Sequence, residues 1–98
     1  MKTIALEFMY HTDLISVPDD ICDDIKKVER AFDKWLYDKS NDHSLWICEN
    51  GIKRAVSFDT SDFVNYLNDH PLSGRRDKSE IIEENAKEIP DGVPVLYF

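Results

Sequence analysis

The chain has 98 residues, 42% apolar and 33% charged, with twenty Asp and Glu against twelve Lys and Arg for a formal net charge of −8. That length predicts one domain, 1–98, and eleven aromatics (two Trp, four Tyr, five Phe) suffice for a packed core, which argues against disorder. The anionic balance argues against direct binding of nucleic acid or anionic lipid, both of which need a cationic surface, and favours steered capture of basic partners.

Residues 3–10 alternate, with Ile4, Leu6, Phe8 and Tyr10 on one side, and predict a half-buried strand. Glu7 interrupts the apolar run, so no signal peptide is expected, and no apolar stretch is long enough for a membrane span. The expected compartment is the cytoplasm, with Cys22 and Cys48 as free, packing thiols. His11 to Val17 reads as a connector, in part extended. From Pro18 to Tyr37, Ile21, Ile25, Val28, Phe32, Trp35 and Leu36 recur at helical spacing. Pro18 suits the first helical position, and Asp19, Asp20, Asp23 and Asp24 suit the positive end of the helix dipole, so one long helix is expected.

Asn50-Gly51 between Leu45–Glu49 and Ile52–Phe58 predicts a two-residue hairpin, because both turn positions need positive φ. That register gathers Leu45, Ile47, Ile52, Val56 and Phe58 on one face, together with an awkward Arg54 that a bulge would relieve. Asp59 or Thr60 caps a short helix through Phe63, Val64 and Leu67 to about Asn68. His70 to Arg76 forms the longest loop. Its basic cluster, Gly74-Arg75-Arg76-Asp77-Lys78, is read as a solvated, mobile loop. Asp77 and Glu80 resemble a capping box opening a third helix to Glu88, with Glu80, Glu83, Glu84 and Glu88 along its exposed side. Pro90-Asp91-Gly92 stops it, and Val93 to Phe98 forms the final strand. The predicted class is α+β: a single mixed sheet of N-terminal strand, Asn-Gly hairpin and C-terminal strand, with one long and two shorter helices.

Each histidine neighbours an aspartate: His11 with Asp13, His43 with Asp42, His70 with Asp69. Aspartate is so frequent that adjacency alone accounts for this, and no oriented nucleophile, metal-ligand spacing or phosphate loop accompanies it. No catalytic residue, metal site or cofactor is expected. The acids remain. Glu80, Glu83, Glu84 and Glu88, flanked by Asp59, Asp62 and Tyr66, offer carboxylates for Lys and Arg beside an aromatic ring.

The segments Leu45-Trp-Ile-Cys-Glu-Asn-Gly-Ile52 and Val56-Ser-Phe-Asp-Thr-Ser-Asp-Phe-Val64, with the small size and acidity, resemble the immunity proteins of bacterial toxin–immunity systems by type. That resemblance implies a non-catalytic protein that covers a cognate toxin domain, often a basic nuclease. It carries over no individual site residue. The alternatives are a phage-type nucleic-acid mimic and a small hydrolase using a His-Asp pair.

Overall fold

The computed structural model describes residues Met1–Phe98. Strands β1 (Lys2–Glu7) and β2 (Thr12–Val17) are followed by helices α1 (Asp19–Asp23) and α2 (Ile25–Tyr37). The hairpin β3 (Trp46–Glu49) and β4 (Ile52–Val56), helix α3 (Thr60–Asp69), and strands β5 (Glu80–Glu83) and β6 (Val95–Tyr97) complete the chain. The main sheet runs β5-β2-β1-β6, with β6 parallel to β1 and the other pairs antiparallel. The class is α+β, and the N-terminal and C-terminal strands lie side by side in a mixed sheet. No helix is long and apolar enough to cross a membrane.

The single sheet is corrected to two, because the Asn-Gly hairpin forms its own two-stranded sheet. Its places in the main sheet are taken by β2 and β5, which the sequence reading assigned to a connector and a helix. Asp13, Leu14, Ile15 and Val17 of β2 are all buried, so the strand is covered on both faces and lacks the alternation that marks a half-buried one. Its turn with β1, closed by Phe8 N–H donating to His11 C=O at 2.8 Å, has no Gly, Asn or Pro to announce it. At β5 the β-branched pair Ile81-Ile82 and an open β2 edge override the helical preference of the surrounding glutamates. Asn85, at φ 53°, then leaves any helical path.

The long helix is broken at Asp24 (φ −106°, ψ 20°). Consecutive aspartates are poor helix-interior residues, since their carboxylates compete for local backbone N–H groups. The main-sheet register sets Ile4 beside Ile15, and Leu6 beside Leu96 and Asp13, on the face that meets the helices. Phe32 of α2 is the hub of the core. It packs edge-on to Phe58, Phe63, Tyr66 and Phe98 at centroid distances of 5.3, 5.0, 5.0 and 6.1 Å. Because β5 and β6 occupy opposite edges, residues 84–94 must traverse the sheet.

The hairpin turn forms as expected, with Asn50 at φ 53°, Gly51 at φ 76° and Glu49 opposite Ile52. A bulge between Ile47 and Cys48 then sets Ile47 opposite Ala55 and Trp46 opposite Val56, leaving Arg54 as the extra residue. This relieves Arg54 and turns Trp46 inward in place of Ile47, while Leu45, Val56 and Phe58 pack against the core as expected. Trp46 is half-buried, while Ile47 and Ile52 are each 51% exposed. His43 staples the hairpin to α2. It stacks on Trp35 and Trp46 at 4.6 and 5.2 Å, while Trp46 Nε1–H donates to Asn41 C=O at 2.7 Å.

Candidate functional site

With no helix over 77–88, the expected stripe of glutamates is dispersed. Glu80 pairs with Ser16 and Glu83 with Leu14, which puts both on the sheet face away from the helices. Glu83 and Glu88 line one hollow, Glu84 and Asp59 a second, and Asp62 and Tyr66 a third.

Asp59 and Asp62 build the start of α3. Asp62 N–H donates to Asp59 Oδ1 at 3.2 Å, and Asp59 N–H donates to Asp62 Oδ2 at 3.0 Å, a reciprocal capping box. The Ser61 hydroxyl, donating to Asp59 Oδ1 at 2.6 Å, holds the Asp59 carboxyl below the usual carboxylate range. Burial pushes Asp62 above it. Each keeps one carboxylate oxygen free of intramolecular hydrogen bonds.

The hollow beside Asp59 has a volume of about 280 Å³ and brings together His11, Asp13, Thr60, Ser61 and Glu84. Asp13 is only 5% exposed. Its Oδ2 accepts the Thr60 hydroxyl at 2.5 Å and faces His11 Nε2 at 3.3 Å, while Oδ1 accepts Asn85 N–H at 2.9 Å. A nucleophile relay requires the imidazole between hydroxyl and carboxylate. Here the carboxylate stands in the middle, and neither Thr60 nor Ser61 has an imidazole as base. The arrangement instead ties β2, the first turn of α3 and the crossing segment together. Of the three His-Asp neighbours, only this one pairs. Asp42 turns to Lys53, His43 bonds backbone, and His70 stacks on Tyr66 at 4.6 Å. No group of three potential ligands converges as a metal would require.

His11 also walls an apolar hollow of about 600 Å³ formed by Phe8, Met9, Tyr10, Val56, Phe58 and Phe98. Phe8 stacks on His11 at 4.9 Å. Met9 and Tyr10, at the tip of the β1–β2 turn, are 82% and 91% exposed. An apolar hollow flanked by two such side chains therefore adjoins a hollow rimmed by Asp59 and Glu84.

The third hollow, of about 160 Å³, lies between α3 and the Trp35–His43 stack. Of its lining, Asp62, Tyr66 and the acid Asp69 are legible in the sequence as parts of an acidic helix, whereas Trp35, His43 and His70 are not. Asp62, Tyr66 and Asp69 fall four and seven residues apart on one helical stripe, a spacing that was available as a signal.

Two of the three cations of the basic cluster, Arg75 and Lys78, are spent internally, while Arg76 stays exposed. Arg75 donates to both oxygens of Asp20 at 2.8 and 3.0 Å and to Asp77 at 2.9 and 2.5 Å, which pins the loop expected to be mobile to α1. Lys78 Nζ donates to Asn68 and Leu72 C=O at 3.2 and 2.7 Å, at the far end of α3. Cys22 and Cys48 are free thiols, the first half-buried and the second exposed, so Cys48 does not pack as expected. No family model, curated protein or solved structure matches the chain.

Proposed function

We propose that this chain is a non-catalytic, cytoplasmic inhibitor of the toxin–immunity type, which binds and neutralises a basic toxin or nuclease domain. The observation that carries the reading is the junction at His11 of an apolar hollow with a carboxylate rim. Stable interfaces combine a desolvated aromatic or aliphatic anchor with a polar margin. Met9 and Tyr10 are large, exposed and backed by Phe8, Phe58 and Phe98, as an anchor requires. Asp59 and Glu84 stand where they meet basic groups around that anchor. Glu80, Glu83 and Glu88 lie outside this junction and contribute through the overall field of a protein at −8, which steers a cationic partner into encounter.

Coexpression with the product of the adjacent reading frame tests this. The expected result is a one-to-one complex in which the partner's toxicity or nuclease activity is suppressed. Met9→Asp with Tyr10→Asp should weaken that complex at least ~30-fold, the scale of one hot-spot residue. A neighbour that neither binds nor is silenced removes the immunity reading, and a complex indifferent to the double substitution moves the interface elsewhere.

A further inference from the structure

We infer that His43 is a proton-operated latch on the β3–β4 hairpin, which holds the root of the hairpin while its ring is neutral and releases it when the ring is charged. Leu45 N–H donates to His43 Nδ1 at 3.2 Å, and Nε2 lies 2.7 Å from Leu36 C=O. A carbonyl only accepts, so Nε2 carries the ring proton and Nδ1 offers its lone pair. Both nitrogens are satisfied in this neutral tautomer. In the charged ring both nitrogens donate, so a proton on Nδ1 meets the Leu45 N–H head-on and that bond is lost.

The ring is held more firmly than Leu45 N–H. It stacks on Trp35 at 4.6 Å and on Trp46 at 5.2 Å, with interplanar angles of 24° and 5°. Indole faces hold a cation as well as a neutral ring, and Leu36 C=O lies at the C-terminal end of α2, where the dipole is negative. A charged ring therefore stays between the indoles and keeps its Nε2–H bond, and the misfit falls on Leu45. From α2 the ring meets Trp35 and Leu36 C=O, neither of which titrates. On its own loop Asp42 is engaged by Lys53, whose Nζ is 5.5 Å from the centroid of the Trp46 ring. From α3, Asp62, Tyr66, Asp69 and His70 line the same hollow as His43, and the two carboxylates help to retain a charged ring.

Leu45 is where the hairpin joins the body. Its C=O accepts Ser57 N–H at 3.0 Å, next to the Trp46–Val56 pair, and its side chain packs on the core. The hairpin is a separate two-stranded sheet, and such a sheet keeps its place by packing. Val56 and Ser57 wall the apolar hollow beside Met9 and Tyr10, so opening the root loosens one wall of that hollow. The other histidines lack this arrangement. His11 faces the Asp13 carboxylate, a pairing that added positive charge strengthens, and His70 stacks on Tyr66. The latch acts within the chain and does not depend on the inhibitor reading.

The test follows the intact isotope-labelled chain by NMR from about pH 8 to about pH 5, the span in which histidines change charge. The ring-nitrogen signals of His43 should place the proton on Nε2 at the upper end. As the ring becomes charged, the Leu45 amide should exchange ~3–10-fold faster than its intrinsic rate accounts for, the scale of one net hydrogen bond, and with the midpoint of the ring. Ser57 should follow it, while Ile15 in β2 stays protected. His43→Gln should remove this response, and His11→Gln and His70→Gln should keep it. If His43→Gln fails to fold, the ring tautomer and the Leu45 response of the parent chain decide alone. A proton on Nδ1 at the upper end, a ring that stays neutral throughout, Leu45 protection that persists once the ring is charged, or an unchanged response in His43→Gln would each overturn the latch.

Discussion

Replacing Asp13 with Ala should be among the most damaging single changes away from the apolar core. Its carboxylate accepts from Thr60, which is 2% exposed, and from Asn85 N–H, and it faces His11. Hydrogen bonds to a charged acceptor contribute about 1.5–3 kcal/mol each. Stripping one partner from a buried charged set costs about 3–5 kcal/mol, because the remaining groups stay desolvated. We therefore expect Asp13→Ala to lose about 3–5 kcal/mol, and roughly 4–8 °C of Tm per kcal/mol in a domain of this size. Asp13→Asn keeps one acceptor for Asn85 N–H and lets the Thr60 hydroxyl rotate to accept from the new amide, so its loss should be nearer ~1–2 kcal/mol. Urea unfolding of both variants, with Thr60→Val made in each background, measures the coupling. Thr60→Val should cost less once Asp13 is gone, by about 1 kcal/mol. A loss in Asp13→Ala within the roughly 0.5 kcal/mol of an ordinary surface change would refute the structural role assigned to this carboxylate.

Phe32→Ala should cost about 3–5 kcal/mol in the same urea assay, since it empties the centre of the aromatic core, and Phe32→Leu should recover about half. Near-equal stabilities of the two variants would mean that the core collapses around the vacancy. Arg75→Gln should flatten the acid side of the stability–pH curve. Arg75 holds the Asp20 and Asp77 carboxyls below the usual carboxylate range. Their contribution is thus present above that range and lost as pH falls through the lowered values. Parallel Tm–pH curves for variant and parent, taken between pH 6 and 2, would show that these pairs carry no linkage.

Legibility followed how local the determining physics was. The α2 stripe, the Asn50-Gly51 turn and the Asp59 cap depend on neighbours within one or two turns of chain, and each was readable. β2 was hidden because both of its faces are covered, so its residues do not alternate. β5 was hidden because its identity comes from the open edge of β2, far away in sequence, against glutamates that individually favour helix. Losing that helix also dispersed the acid stripe. The residue types suited to a partner surface were readable in Asp59, Asp62, Tyr66 and Glu84. The tip at Met9 and Tyr10, and the wall of Trp35, His43 and His70 facing α3, arise only from tertiary packing. The Asp13 knot joins positions 47 and 72 residues apart, beyond any local pattern.

The central claim is that a surplus of carboxylates draws this protein onto a cationic partner. The direct measurement is the association rate with the coexpressed partner against ionic strength, for the parent and for Glu80→Gln/Glu83→Gln/Glu84→Gln/Glu88→Gln. That variant removes four of the eight net negative charges, −8 to −4, at exposed positions. The account predicts a parent rate that falls at least about tenfold from low to high salt, and a variant that is slower at low salt with a shallower dependence. Equal rates, insensitive to salt, would contradict it.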